Sequence, residues 1–407
     1  MLHSAVMTEP RRNVFAILDM GSTKMVCFAV KMNNGVPEII GIGHKAADGI
    51  NGGAITNMQH ASYSVLSSID LAEQIAEQTI DQVYINISGC GVSSFNVVNE
   101  INSTVHEISD RDIKRIVLQT YEKCCDNNVI VHNIPIAYHL DNVSSITELK
   151  GLYGSKLRAD MHVVTASKLA LLNIENCITN SNLSMAGCIV ESYASGLACL
   201  TEDEKELGTV IVDIGGSYTS IGIFDKGKFV YADSVPLGGV HVTRDIAYGL
   251  YTSVKSAERI KILHGNIMLT SADKNYVIEA ENDDYDGELI SVMKSDLIGI
   301  IRPRIEEILE LVKDKLEKQK NIVRKVVITG GCSQLTSMKE IASYVLNKQV
   351  RIGIPVSING LDVEYTRNPI FSAAIGVTLL VAQTFYNGNY NNSKRISRFK
   401  RLFEWIK

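Results

Sequence analysis

One short phrase occurs twice in this chain, about half the sequence apart. Each copy is an apolar run that ends in Asp, one apolar residue and Gly: Ala16-Ile17-Leu18-Asp19-Met20-Gly21 and Val210-Ile211-Val212-Asp213-Ile214-Gly215. A repeat over this distance indicates duplicated domains, since solenoid repeats recur about every 20 to 50 residues. The phrase therefore predicts two related halves.

The chemistry of the phrase favours an anion and a metal ion. Glycine after a strand allows a sharp turn and lets backbone N–H groups approach an anion, which a Cβ would obstruct. An adjacent Asp can orient the water molecules that Mg²⁺ retains. One such turn is weak evidence, because many strands end in a plain turn. Two that face each other predict a cleft for the phosphates and metal of a nucleotide.

Composition excludes several classes of protein. The chain has 407 residues, which predicts two or more domains. A net charge of −5 argues against general binding of nucleic acid, since duplex affinity depends on clustered cations. No run of eighteen apolar residues occurs, and the N-terminus lacks the apolar segment of a signal peptide. Eight cysteines without a CxxC pair indicate a reduced, cytosolic protein with buried thiols and no zinc site.

Strands and helices alternate in both halves, so the predicted fold class is α/β with a sheet in each half. Apolar runs predict strands at 13–31, 36–42, 83–89, 162–167, 185–190 and 325–331. Helical spacing predicts helices at 57–79, 109–124, 239–263 (two), 291–320, 335–347 and 368–386. In the helix at 57–79, the predicted core band is Val65, Leu66, Ile69, Leu71 and Ile75.

The end of the chain predicts a membrane-binding segment. The polar stretch 387–393 is an expected flexible linker. Residues 394–407 carry six cations and one Glu, a charge of +5. On a helix they place apolar side chains on one stripe, with Trp405 at its border and cations elsewhere: Ile396, Phe399, Leu402, Phe403 and Ile406, against Arg398, Lys400, Arg401 and Lys407. Such helices lie in the lipid interface, although a basic helix docked on the protein body is the alternative.

Three glycine turns in order carry a resemblance to a known superfamily. AILDMGSTK, VIVDIGGSYTSIGIF and VVITGG resemble the first phosphate, second phosphate and adenosine motifs of the actin superfamily. The resemblance implies an actin-like, ribonuclease H-like pair of duplicated domains around a nucleotide cleft. It also implies ATP and Mg²⁺ as ligands.

Longer stretches resemble one family within that superfamily, the FtsA family of bacterial cell-division proteins. They are residues 201–216, 241–265 and 349–361, together with the basic C-terminal helix. The resemblance implies a first domain (13–92, 163–200 and 368–386) with an inserted module (93–162). It implies a second domain (201–240 and 322–367) with a small subdomain (241–321), followed by the linker (387–393) and the amphipathic helix (394–407).

The resemblance assigns ligand roles to residues of this sequence. It implies that Lys24 neutralises phosphate charge, that Asp19 and Asp213 hold hydrated Mg²⁺, and that Glu191 orients the attacking water. The remaining residues with implied nucleotide contacts lie in the two phosphate loops and on the adenosine side: Gly21, Ser22, Thr23, Gly215, Gly216, Ser217, Glu258, Lys261, Gly330, Gly331 and Cys332. Without the resemblance, Glu258 and Lys261 would be interpreted as an i,i+3 ion pair on a helix surface.

The second phosphate loop departs from the usual pattern of the family. Ser217 and Tyr218 follow Gly215-Gly216, where the family has Gly-Thr. Ser217 lacks the conformational freedom of glycine, and Tyr218 replaces a small hydroxyl that could touch the terminal phosphate. We expect nucleotide binding to survive this change and hydrolysis to be slow.

The resemblance also implies partners and a location. It implies assembly of the chain with itself, binding to anionic lipids, to the C-terminal tail of FtsZ and to downstream division proteins, at the cytoplasmic face of the inner membrane at the septum. Two alternatives share the fold: a metabolite kinase for a sugar or acid, and an actin-like pilus or shape protein. The basic amphipathic terminus favours the division protein, because a soluble kinase has no use for it.

Overall fold

The computed structural model describes most of the chain between its two ends. The described residues are 13–33, 35–123, 127–146, 148–270, 273, 275–281, 289–319 and 322–392. The predicted membrane-binding helix at 394–407 lies outside them.

The first part of the chain forms four neighbouring strands of a mixed sheet. Its elements are β1 (Val14–Met20), β2 (Lys24–Asn33), β3 (Val36–Ala46), β4 (Ile50–Asn51), β5 (Ala54–Ile55), α1 (Met58–Ala76) and β6 (Gln82–Ile87). Strands β1, β2 and β3 pair antiparallel as consecutive neighbours, and β1 pairs parallel with β6 on its other side. Asp19 therefore lies at the carboxyl end of a central strand.

A separate four-stranded sheet interrupts this first half. Its elements are β7 (Ser93–Glu107), α2 (Asp110–Glu122), β8 (Asn128–Leu140), β9 (Val143–Ile146) and β10 (Tyr153–Ser167), in the sheet order β7-β10-β8-β9. The helix α2 begins at the cap Ser109, where Asp112 accepts hydrogen bonds from the Ser109 backbone and hydroxyl. We predicted that helix and the last part of β10, and we did not predict β7 or β8.

The rest of the chain completes the first sheet and builds the second. Its elements are α3 (Lys168–Asn180), β11 (Ser184–Val190), α4 (Glu191–Cys199), α5 (Glu202–Glu206), β12 (Thr209–Ile214), β13 (Thr219–Asp225), β14 (Lys228–Val235), α6 (Gly239–Gly249), α7 (Val254–His264), β15 (Val277–Glu281), β16 (Leu289–Met293), α8 (Lys294–Leu316), β17 (Lys325–Thr329), α9 (Met338–Leu346), β18 (Gln349–Ile352), α10 (Val363–Thr366) and α11 (Ser372–Asn392). The two helices predicted within 239–263 are present as α6 and α7.

The two five-stranded sheets have the same topology. Their orders are β3-β2-β1-β6-β11 and β14-β13-β12-β17-β18. In each sheet the Asp-bearing strand pairs antiparallel with the next strand in sequence and parallel with a later strand. The duplication expected from the repeated phrase is therefore present in the fold.

The buried face of α1 differs from the prediction. Val65 and Ile69 are buried as expected, but Leu66 and Ile75 are 40% and 62% exposed. Small residues fill the buried face because β3 comes very close. A Cβ built on Gly43 would lie 1.7 Å from the carbonyl oxygen of Ser68. The α1–β3 contact is thus one of backbone against backbone, and larger side chains point away from it.

The last helix is longer than predicted. Residues 387–392 continue α11 to Asn392, although we expected 387–393 to be a flexible linker. Extending an existing helix costs little per residue even through Asn and Gly, and this stretch contains no Pro. The helix packs on α4 at close range, since a Cβ on Gly376 would lie 1.8 Å from the carbonyl oxygen of Ala194.

No helix among the described residues combines the length and the hydropathy needed to cross a bilayer. The thiols within the described ranges are free, and they are buried except for the half-buried Cys90: Cys27, Cys90, Cys177, Cys188, Cys199 and Cys332. This agrees with the expectation of unpaired, largely buried cysteines.

Candidate nucleotide site between the two sheets

The repeated Asp-x-Gly turns lie opposite each other between the sheets. Asp19 ends β1 and Asp213 lies in the equivalent strand β12, and both side chains are buried. The loops that follow them touch. A Cβ built on Gly216 would lie 2.9 Å from Cγ2 of Thr23. The geometry therefore brings the two predicted phosphate loops to one place.

Asp213 is held in a dry, crowded position. The hydroxyl of Ser195 donates a hydrogen bond of 2.5 Å to its Oδ2. Burial is the main cause that raises the pKa of Asp213 to about 6, with a smaller contribution from the nearby charge of Asp19, against the opposing effects of Ser195 and Lys24. A carboxylate in such surroundings is poised for a cation that would lower its electrostatic cost.

Glycine is required beside Asp213 in the third turn. Gly330 has a φ of +87°, and a Cβ there would lie 2.2 Å from Oδ1 of Asp213. In the 3₁₀ turn Gly331–Gln334 that follows, Ser333 donates to the carbonyl of Gly330 at 2.7 Å. The predicted adenosine turn is thus fixed directly against the second phosphate loop.

Asp19 has a neighbour that the sequence prediction missed. Nδ2 of Asn86 donates to Oδ1 of Asp19 at 3.0 Å, and the two residues are register partners on the parallel strands β1 and β6. Oδ1 of Asn86 is buried without a hydrogen-bond partner. This leaves an unsatisfied acceptor on the side chain that contacts the Asp19 carboxylate.

Glu191 stands at the first position of α4, close to both aspartates. The hydroxyl of Ser220 donates to its Oε2 at 2.6 Å, and Ser88 also bonds to it. Burial raises the pKa of Glu191 well above its usual range, and the charges of Asp213 and Asp19 raise it further. The structure thus places the predicted water-orienting carboxyl within the cluster, with Ser195 one helical turn further along α4.

Lys24 is the cation of this cluster. Its ammonium group donates to the carbonyl of Ile370 at 2.7 Å and lies 5.0 Å from the centre of the Phe371 ring. Burial lowers its pKa, while the charges of Asp19, Asp213 and Glu191 oppose that shift. One buried ammonium among three carboxyl groups leaves the cluster short of positive charge.

Glu258 and Lys261 form more than a surface ion pair. Nζ of Lys261 donates to Oε2 of Glu258 at 2.7 Å, to the hydroxyl of Thr243 at 2.8 Å and to the carbonyl of Gly239 at 3.1 Å. The Lys261 side chain is only 12% exposed. The pair joins α7 to the start of α6, beside the third turn, where burial raises the pKa of the Cys332 thiol to about 11. Cys332 is therefore a neutral wall residue.

The start of α6 supports the second loop. The backbone N–H groups of Gly239 and Val240 donate to the carbonyls of Gly215 and Gly216 at 2.9 and 2.8 Å. A Cβ on Gly238 would lie 2.6 Å from the carbonyl oxygen of Gly215. These bonds turn the loop carbonyls towards α6, away from the cleft.

The side-chain chemistry suits a nucleotide with a hydrated divalent cation. Two buried aspartates and an unpaired amide oxygen fit an added cation, one lysine fits the negative charge of phosphate, and the glycine turns leave room for phosphate and adenosine. No group of three His, Cys, Asp or Glu side chains arranged to bind a metal directly occurs in the part of the chain that the structure describes.

The remaining predicted site residues fall into two groups. Ser22 lies at the cleft, where its Oγ accepts from the N–H of Gly53 at 3.5 Å, and Ser217 and Gly21 lie in their loops. The predicted membrane-binding residues all lie outside the described ranges: Ile396, Arg398, Phe399, Arg401, Leu402, Phe403, Trp405 and Ile406.

Comparisons with known proteins agree with this architecture. Residues 210–376 match the family model described as Cell division protein FtsA, and residues 89–165 match the SHS2 domain inserted in FtsA. The module sheet β7–β10 is thus that inserted domain.

Curated relatives match over nearly the full chain. The cell division protein FtsA of Rhizobium meliloti is 35% identical over 98% of this chain and 95% of its own length. The FtsA proteins of Pseudomonas aeruginosa and Escherichia coli K12 are 32% and 29% identical over 91% and 97% of this chain, and over 90% and 98% of their own lengths.

Solved structures share the fold at low identity. The PilM-PilN type IV pilus biogenesis complex gives a TM-score of 0.65 at 15% identity, covering 92% of this chain and 99% of that one. MreB5 of Spiroplasma citri bound to ADP gives 0.55 at 13% identity, covering 94% and 100%. The fold is therefore actin-like, and on the evidence of its full-length relatives the chain belongs to the FtsA family of bacterial cell-division proteins.

Proposed function

We propose that this chain is an ATP-binding, actin-like division protein that assembles on the cytoplasmic face of the inner membrane at the septum. In this role it anchors the FtsZ ring through the FtsZ C-terminal tail and recruits later division proteins. The single observation that carries the nucleotide part is that Asp19 and Asp213 lie at equivalent strand ends, with the Lys24 ammonium group near both of them.

The chain's own residues define how ATP and Mg²⁺ would be held. Asp19 and Asp213 would accept hydrogen bonds from the water around the cation, which neutralises phosphate charge when bound. Lys24 would contact phosphate, because the negative charge of the phosphate would compete with the carbonyl of Ile370 for the ammonium group. Gly330 and Gly331, with Cys332, Glu258 and Lys261, would line the adenosine side. MreB5 of Spiroplasma citri, which shares this fold, has been solved with both ADP and AMPPNP.

Hydrolysis is expected to be slow. Glu191 must be ionised to help a water molecule attack, and its raised pKa disfavours that form while no cation is near. The bulky Tyr218 also stands where the family has a small hydroxyl. We therefore assign the nucleotide a structural role in assembly, with at most slow turnover.

The C-terminal segment supplies the membrane contact in this proposal. The α11 helix leads from the cleft side of the molecule to Asn392, two residues before the amphipathic segment 394–407 begins. Each cation near anionic lipid contributes about 1 kcal/mol, so one copy binds reversibly and an assembly binds firmly. The domain boundaries given above are part of the proposal. The separate sheets support a module apart from the first domain, but β10 extends the module sheet to Ser167, past the expected boundary at 162.

The small subdomain offers a surface for the FtsZ tail. Tyr248 and Tyr251, at the end of α6, are 85% and 87% exposed, and Ile262 and Leu263 on α7 are exposed as well. Exposed aromatic and aliphatic side chains of this kind favour an apolar peptide. The proposal places the docking site on this α6–α7 face.

Vesicle sedimentation tests the tethering role. The full chain, a chain ending at residue 393 and a chain with residues 394–407 scrambled are sedimented with vesicles of anionic phospholipid, with Mg²⁺ and ATP. The scrambled segment keeps the charge of +5 but loses the apolar stripe, so it is the matched control. We expect only the full chain to sediment strongly. Equal binding by the truncated chain would refute membrane tethering, and phosphorylation of an added sugar or acid would favour the kinase alternative.

A further inference from the structure

The ring of Tyr218 crosses the cleft from the second half to the first. A Cβ built on Gly89 would lie 2.6, 2.7 and 2.9 Å from Cε2, Cζ and Cδ2 of Tyr218. A Cβ on Gly53 would lie 3.4 Å from Cε2 of the same ring. The contact is made by ring carbons against glycine backbone, so a side chain at Gly89 would displace the ring, whereas one at Gly53 would first meet the carbonyl oxygen of Ser88 at 2.7 Å.

The two glycines belong to a built slot. Gly53 lies in the turn between β4 and β5, Gly89 follows β6, and their φ angles are +66° and +64°. The thiol of Cys90 donates to the carbonyl of Gly53 at 3.2 Å and ties the two turns together. The N–H of Gly53 also donates to Oγ of Ser22 at 3.5 Å. The slot is therefore attached to the first phosphate loop.

Both sides of the contact lead to Glu191. Ser88, next to Gly89, bonds to its carboxyl group, and Ser220, two residues after Tyr218, donates to its Oε2 at 2.6 Å. The carbonyl of Tyr218 accepts from the N–H of Gly215 at 3.0 Å, which closes the second loop. Movement of the ring is thus linked to the loop that faces the phosphates and to the water-orienting carboxyl.

We propose that Tyr218 is a positioning residue that latches the two halves of the cleft together, so that bound nucleotide leaves slowly. Opening of the cleft requires the ring to leave its glycine-walled slot, which a small hydroxyl side chain could not reach. The idea rests on the proposed binding of nucleotide, and it gives the departure from the family pattern a physical role.

Dissociation of a fluorescent ATP analogue tests the latch. N-methylanthraniloyl-ATP is bound with Mg²⁺ and chased with unlabelled ATP, and its release is followed in the full chain. We expect Tyr218→Thr to release it at least about tenfold faster, which corresponds to ~1.4 kcal/mol. Tyr218→Phe should stay within about twofold of the parent, because ring carbons make the contact. Tyr344→Thr, at a 79% exposed position on α9, is the matched control and should change nothing.

A measurement without nucleotide separates the latch from the binding proposal. Hydrogen exchange at residues 50–55 and 86–92 should be faster in Tyr218→Thr than in the parent and Tyr218→Phe. Should Tyr218→Thr not fold, Gly89→Ala disturbs the slot from the other side and should give the same result. If the parent binds no analogue, the proposed function fails and exchange alone decides the latch. Unchanged exchange in the variant, or unchanged release where the parent binds, would overturn the latch.

Discussion

Asp213 illustrates how a binding site can lower the stability of the protein that carries it. Its pKa is raised from an ordinary value of 3.8 to about 6, chiefly by burial. Between these two pH values the folded protein holds a proton that the unfolded chain has lost. The free energy of unfolding therefore falls as pH rises through this window and stays low above it.

Replacement of Asp213 by Asn should remove this cost. At pH 8 we expect Asp213→Asn to raise the free energy of unfolding by on the order of 2 kcal/mol, and at pH 4 to change it little. The variant should also lose affinity for nucleotide with Mg²⁺. Urea denaturation of both proteins at the two pH values measures the effect. A variant that is equally destabilised at both would show that Asp213 bears no electrostatic strain.

The third turn offers a matched pair of glycines. Gly330→Ala would bring a Cβ within 2.2 Å of Oδ1 of Asp213 at a φ of +87°, whereas Gly331→Ala meets nothing nearer than 3.7 Å. We expect the first change to destabilise by roughly 2 kcal/mol or more and to abolish nucleotide binding. The second should leave stability nearly unchanged. Thermal melts of the two variants check this, beside a nucleotide titration of Gly330→Ala, and equal melting temperatures would contradict the assigned geometry.

At the residue scale, the sequence predicted the loop residues of the site but not the residues that hydrogen-bond to them. The Asp-x-Gly phrases located Asp19 and Asp213 because strand-end turns have a local signature. Asn86, Ser195 and Ser220 escaped prediction, because their roles depend on which strands and helices pack together. Two weak signals existed: Asn86 is a polar residue inside the predicted apolar strand 83–89, and Ser195 lies four residues after Glu191, on the same face of a helix.

At the scale of elements, close backbone packing determines which face of α1 is buried, and hydrophobic spacing alone did not predict that face fully. The apolar band predicted for α1 was partly wrong, since Leu66 and Ile75 point to solvent. Gly41 and Gly43 on β3 admit the helix so closely that Ser68 and Ala72 fill the interface. A pattern that counts apolar side chains gives no weight to glycines on the facing strand.

The same contact yields a stability prediction. A Cβ on Gly43 would lie 1.7 Å from the carbonyl oxygen of Ser68. Because backbone atoms cannot easily move aside, Gly43→Ala should lower the free energy of unfolding by about 3 kcal/mol or more. Gly299→Ala, in α8 with open space around it, is the control and should stabilise by roughly 0.5–1 kcal/mol. Denaturant midpoints measure both. A mild effect at Gly43 would mean that α1 and β3 are farther apart than the structure has them.

At the scale of the whole molecule, duplication was the most predictable feature. Two phrases half a chain apart predicted two sheets, and these share one strand order and one pattern of directions. The resemblance predicted the inserted module, yet most of its strands were not predicted. The 15-residue strand β7 is largely exposed, and the four-residue strand β9 is exposed except at Ile146, so their apolar signal is weak.

The proposed function depends on one nucleotide held between the two halves. Isothermal titration of the full chain with ATP and Mg²⁺, beside Gly330→Ala and Gly299→Ala, tests this most directly. We predict one site per chain with a dissociation constant below about 1 mM, retained in Gly299→Ala and lost in Gly330→Ala. No binding by the parent chain at millimolar ATP, or equal binding by both variants, would contradict this proposal.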